Sequence, residues 1–85
     1  MKTFTYTPQG VCSRRIEIVL DGESIEQVKF LGGCSGNTQG VAALVVGMNA
    51  NEAIARLAGI RCGFKATSCP DQLAKALTQA LAVSE

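Results

Sequence analysis

Polar and apolar positions alternate along the first part of the chain and recur at helical spacing along the rest. In residues 3–7 threonine alternates with Phe4 and Tyr6, which predicts a short edge strand ended by Pro8 and Gly10. From Cys12 the even positions Cys12, Arg14, Ile16, Ile18 and Leu20 share one face, with Ser13, Arg15 and Glu17 on the other. This is the period of a half-buried strand. Asp21-Gly22 marks a turn, and the next strand places Val28 and Phe30 on one face and Gln27 and Lys29 on the other, continuing to Gly32 and Cys34. A two-residue turn at Asp21-Gly22 would set Ile16 against Gln27 and turn Val28 and Phe30 away from the core, because a one-residue slip exchanges the faces. Apolar matching instead favours a longer loop over residues 21–25, with Ile18 opposite Val28, Ile16 opposite Phe30 and Cys12 opposite Cys34.

The run Gly32-Gly33-Cys34-Ser35-Gly36-Asn37 predicts a tight loop. It lacks the lysine and the spacing of a phosphate-cradling P-loop. Asn37 or Thr38 can cap a first helix whose stripe is Val41, Leu44, Val45 and Met48. Residues 49–51 interrupt it, Asn51 can cap a second helix over 52–58 with Ile54 and Leu57 inward, and Gly59 ends that helix. Residues 60–65 form a connector. Ser68 with Asp71 three residues on, and Pro70 in the first turn, predicts the start of a third helix that buries Leu73, Ala76, Leu77, Ala80 and Leu81. The expected fold is α+β: one domain over residues 1–85, a small antiparallel sheet of a hairpin plus an edge strand, covered on one face by three helices.

The cysteines change the functional picture. Cys12, Cys34, Cys62 and Cys69 fall at a strand start, a strand end, a connector and a helix start, and there is no histidine. Ser-His and Cys-His catalytic pairs are thereby excluded, and no pair of carboxylates offers acid-base work, so no catalytic residue is assigned. A single cysteine is most often a small buried hydrophobe. Four together suffice for a closed tetrahedral zinc site or a cysteine-ligated iron-sulfur cluster. Cys62 and Cys69 are too far apart for a local zinc knuckle, so tertiary folding would have to build the site. Zinc held by all four cysteines is the default expectation. The alternative is a dithiol, with Cys69 attacking a disulfide partner and Cys62 or Cys34 resolving it. Cys69 at a helix N-terminus suits either, since unpaired N–H groups there stabilise an anion. Metal is favoured because four thiols exceed the two that exchange needs.

Composition sets outer bounds. A chain of 85 residues has a small core, near the size at which a metal, a disulfide or a partner subunit is often needed, so a homo-oligomer is open. No apolar stretch matches a bilayer span, so no membrane association is expected. The polar, alternating first seven residues lack the apolar segment of a secretory signal, which points to the cytoplasm. A formal charge of +1, three Phe, one Tyr and no Trp give no clear nucleic-acid surface. Arg14 and Arg15 follow Cys12, and Arg61 and Lys65 bracket Cys62. Each alone is an ordinary solvated charge, but beside thiolates they would offset negative charge.

The runs Gly10-Val11-Cys12-Ser13, Gly32-Gly33-Cys34-Ser35-Gly36-Asn37, Cys62-Gly63 and Thr67-Ser68-Cys69-Pro70-Asp71-Gln72-Leu73-Ala74 resemble the TSCPD domain family along nearly the whole chain. That family occurs as short stand-alone proteins and attached to ribonucleotide reductases. The resemblance implies an accessory module that works with a ribonucleotide reductase catalytic chain in deoxyribonucleotide synthesis. For such a module a nucleotide is a further candidate ligand, with Arg14, Arg15, Arg61 and Lys65 as candidate phosphate or partner contacts. The resemblance does not imply catalysis by the module alone. Radical reduction needs a barrel, a radical-generating cofactor and a nucleotide pocket, which a chain of this length cannot enclose. A looser resemblance, carried by Cys12, Gly33-Cys34 and Cys69 with Leu73-Ala74, is to NifU-like iron-sulfur scaffold proteins, and implies a cluster scaffold or carrier. The chain departs from that pattern at Ser68, where many scaffolds have His, and at Ser13-Arg14, where an Asp is expected.

Overall fold

The computed structural model describes residues 1–11, 13–32, 35–61, 63 and 66–83, with the side chains of residues 35–37 excepted. Among the described residues three strands, β1 (Lys2–Tyr6), β2 (Ser13–Asp21) and β3 (Ser24–Gly32), precede three helices, α1 (Ser35–Val45), α2 (Ala50–Leu57) and α3 (Cys69–Ala82). The sheet is antiparallel with β2 in the centre. Ile16, Ile18 and Leu20 of β2 lie completely buried on its inner face, with Phe4 and Tyr6 of β1 and Phe30 of β3 packed beside them. Arg15 is exposed on the outer face and Glu17 and Val19 are half-buried there. The expected α+β architecture is the one observed.

The hairpin reconciles two demands that the sequence sets against each other. Ile16 pairs with Phe30 and Ile18 with Val28, as apolar matching requires, yet the turn is tight: Asp21 pairs with Ser24 around Gly22-Glu23. Gly22 supplies the positive φ, +61°, that a type II′ turn needs at its first central position. A register shift between Val19 and Leu20 makes both compatible, since Val19 pairs with Gln27 and Leu20 with Ile25, leaving Glu26 as an extra residue. This bulge puts both Ile25 and Val28 inside. The expected loop over residues 21–25 is therefore corrected to a two-residue turn plus a bulge.

A second shift, between Ser13 and Arg15, makes Arg14 the extra residue on β2. Ser13 is buried there, while Arg14 and Arg15 are both exposed. Strict alternation would place Arg14 on the apolar face and Ser13 outside, and the bulge reverses both.

The segment between α1 and α2 lies along the start of β3. Ile25 N–H donates to the Met48 carbonyl at 2.9 Å, Gly47 N–H to the Ile25 carbonyl at 2.8 Å and Ala50 N–H to the Glu23 carbonyl at 2.7 Å. Asn49 caps α2, its side chain accepting from Asn51 N–H at 2.8 Å, so the cap sits two residues before the expected Asn51. In α1 the inward residues are Thr38, Val41, Ala42 and Val45, with Met48 packed just beyond the helix. Leu44, expected in that stripe, is 78% exposed, because a residue adjacent to buried Val45 turns away from the sheet. The alanines Ala50 and Ala53 of α2 and Ala76 and Ala80 of α3 are completely buried, and small side chains let these two packed helices approach closely. α3 lies against β2 and β1 with Leu73 and Leu77 in the core. Its C-terminal carbonyls are held by Lys2, whose ammonium donates to Ala80 O at 2.7 Å and to Val83 O. Among the described residues no helix is long and apolar enough to cross a membrane.

Candidate functional site

The N-terminus of α3 gathers Ser13, Ser68, Asp71 and Gln72, four of the five buried polar residues among those described. Ser68 is the cap, in extended conformation, with its Oγ accepting from Asp71 N–H at 3.2 Å, and Pro70 occupies the first turn. The Ser68 hydroxyl also donates to the Ile60 carbonyl at 2.6 Å, which ties the exit of α2 to this point. Asp71, only 6% exposed, strengthens the tie: Oδ1 accepts from Gly59 N–H at 2.7 Å and Oδ2 accepts from the Thr67 hydroxyl. The Thr67 hydroxyl, the Gly59 N–H and, least, the Lys75 ammonium 3.8 Å away hold the Asp71 carboxyl below the usual carboxylate range, against the opposing effect of burial.

Gln72, one residue on, reaches the other side of the site. Its Oε1 accepts from the Tyr6 hydroxyl at 3.2 Å and from Gln9 N–H at 3.0 Å, and its Nε2 donates to Thr67 Oγ1 at 2.9 Å. Thr67 thus accepts a hydrogen bond from Gln72 and donates one to Asp71, linking the β1–β2 loop and the α2 exit through one hydroxyl. The same loop comes so close that a Cβ on Gly10, at φ +74°, would stand 3.1 Å from Thr67 Cγ2. Only glycine fits there without displacement.

Cys69 sits inside this frame, at the first helical position, half-buried and free. Its Sγ lies 3.1 Å from the Ser13 Oγ, and either atom can donate. The bulge at Arg14 is what turns Ser13 inward to make this contact. The run from Thr67 to Asp71 thus divides the work of the site: Thr67 relays, Ser68 caps, Cys69 offers the thiol, Pro70 starts the helix and Asp71 clamps.

Sequence reasoning anticipated the cap, the proline and the thiol. It missed Ser13, Gln72 and Thr67. The signal for Ser13 was present, since a charged Arg14 on the apolar parity of β2 is a conflict that a bulge resolves. Cys12, Cys34, Cys62 and Lys65 lie outside the described residues, and with them the four-thiolate set and the pairing of Cys12 with Cys34. The register on which that pairing was argued runs to Arg15 opposite Leu31, and the next pair, Ser13 opposite Gly32, is already shifted by one. Among the described residues no three or more His, Cys, Asp or Glu side chains form a metal-binding group. Arg14 and Arg15 are brought together, both lining an open depression with Thr7 and Leu31. Arg61 is exposed on the connector, outside that depression.

The run Thr67-Ser68-Cys69-Pro70-Asp71 that builds this frame lies within the stretch covered by a known domain family. The family model for the TSCPD domain covers residues 2–81, and the chain belongs to the TSCPD domain family. No curated protein and no solved structure matches it.

Proposed function

We propose that this chain is a cysteine-rich accessory module that binds zinc through Cys12, Cys34, Cys62 and Cys69 and works beside a ribonucleotide reductase catalytic chain. The observation that carries the metal reading is the convergence of chain segments on Cys69. Ser13, which follows Cys12 in sequence, is in contact with Cys69 Sγ. Gly32, two residues before Cys34, is the strand partner of Ser13. Ile60, two residues before Cys62, accepts the hydrogen bond from Ser68. Consecutive Cα atoms are about 3.8 Å apart, so short stretches of chain suffice to bring the other three thiols to this end of α3. Four cysteines without histidine are a complete donor set for tetrahedral zinc, and such a centre would join the sheet, the connector and α3. The reductase association rests on membership of the TSCPD family.

Elemental analysis of protein purified reduced and without added metal tests the first part. About one zinc per chain is expected, lost when any one cysteine is replaced by serine. Metal-free protein whose activity as a reductant survives loss of two particular cysteines would replace this reading with the dithiol one, for which the partial exposure of Cys69 leaves access. An absorption band after anaerobic iron and sulfide reconstitution would replace zinc with an iron-sulfur cluster. Reductase turnover with and without the module tests the second part.

A further inference from the structure

We propose that the depression lined by Thr7, Arg14, Arg15 and Leu31 is an oxyanion site that takes the phosphoryl group of a small molecule. It goes beyond the metal reading, because among the described residues no cysteine lines the depression. In an unbroken strand Arg14 and Arg15 would point to opposite faces. The bulge at Arg14 abolishes that alternation, so both are exposed and line the same depression. Bulges re-aim side chains in this way at functional sites. Arg15 is paired with Leu31 in the sheet, and Thr7 follows Tyr6, the partner of Ile16, so the floor is the outer face of the sheet at its open end.

The charges there are only weakly compensated. Among the described residues Arg14 has no ion-pair partner, and Arg15 meets only the half-buried Glu17, at 4.0 Å. Two guanidiniums lining one depression repel, which an anion between them would relieve, and their planar donor forks match phosphoryl oxygens bidentately. The depression measures about 430 Å³, within the range of small-molecule sites, and leaves room for a group esterified to the phosphate.

The test is a backbone-amide NMR titration of the full chain at constant ionic strength with inorganic phosphate, pyrophosphate and a nucleoside diphosphate, repeated after chelator treatment. Saturable shifts are expected at Thr7, Arg14, Arg15 and Leu31, with pyrophosphate binding tighter than phosphate. Each of Arg14→Gln and Arg15→Gln should weaken binding at least about tenfold, the equivalent of one lost hydrogen bond to a charged group. Arg56→Gln, which breaks only the α2 pair with Glu52 at 3.0 Å, should leave affinity unchanged. Equal affinity for pyrophosphate and nucleoside diphosphate identifies the phosphate alone as the ligand; tighter nucleotide binding identifies a phosphoester. Retention of binding in chelator, whatever the metal content, separates this site from the thiol centre. Absence of saturable shifts, shifts confined to residues 59–72, or undiminished binding by the arginine variants overturns the proposal. Should a Gln variant misfold, the wild-type shift map and Arg15→Lys, which keeps charge but loses the fork, decide it.

Discussion

Replacing Asp71 by alanine removes the clamp that holds three segments together. Its carboxylate accepts from the Gly59 N–H and the Thr67 hydroxyl, and Thr67 in turn anchors Gln72. Hydrogen bonds to a charged acceptor are worth about 1.5–3 kcal/mol each. The Lys75 pair adds little, with its ammonium 57% exposed and 3.8 Å away. Allowing water to reach the exposed Gly59, Asp71→Ala should cost about 3 kcal/mol. For a domain of this size that lowers Tm by roughly 12–24 °C. Asp71→Asn should cost less, because its amide oxygen can still accept from Gly59, but its NH₂ leaves the Thr67 O–H without its acceptor. The pH dependence carries a second signature. With its native carboxyl held below the usual range, Asp71 stabilises the fold fully above the unfolded-state value near 4, and this contribution is lost as pH falls through the lower native value. The gap between wild type and Asp71→Asn should therefore narrow below about pH 4. Urea melts in reductant and chelator, which remove metal release from the comparison, measure both effects. An Asp71→Ala change under about 0.5 kcal/mol, within the range of ordinary surface substitutions, would refute the clamp. So would a gap that is constant down to pH 2 or so.

Gln72→Leu keeps the bulk of a side chain that is 2% exposed but leaves the Tyr6 hydroxyl, the Gln9 N–H and Thr67 short of a partner. A loss of about 2–3 kcal/mol is expected in denaturant melts, with faster amide exchange at Gln9. Lys2→Met should cost about 1 kcal/mol through loss of a cation on the last carbonyls of α3, an effect that thermal melts would show and that salt would weaken in the wild type. Leu44→Ser should change stability by less than about 0.5 kcal/mol, whereas Val45→Ala should cost about 2 kcal/mol. Equal costs at these neighbours would contradict the orientation of α1.

The alternating and helical rhythms made the architecture legible: strands, helices and most inward residues follow from local pattern. The two bulges were less accessible. An extra residue leaves no periodic mark of its own, only a charge on the wrong parity, as at Arg14, or a turn that disagrees with the pairing, as before Glu26. Leu44 and Val45 are adjacent and equally apolar, and only the position of β3 decides which of them is buried. Asn49 and Asn51 can both cap a helix; the backbone bonds around Ile25 and Glu23 select the first. At the site, the cap formed by Ser68 and the place of Pro70 and Asp71 could be read because they are local. The reach of Gln72 to Tyr6 and Gln9 spans more than sixty residues of chain, and nothing in a local pattern announces which distant groups an amide will satisfy.

The contact of Lys2 with Ala80 and Val83 places the first strand and the end of the last helix at one corner. Cys69 begins the same helix, 14 residues long, so the thiol lies about 20 Å from that corner. A fusion partner joined at either end would consequently attach at the corner remote from the thiol and leave the opposite pole uncovered. The same adjacency permits the old ends to be joined by a short linker and new ones opened at the exposed Gly22-Glu23 turn. A single helix thus holds the corner shared by Lys2 and Val83 apart from the Cys69 thiol.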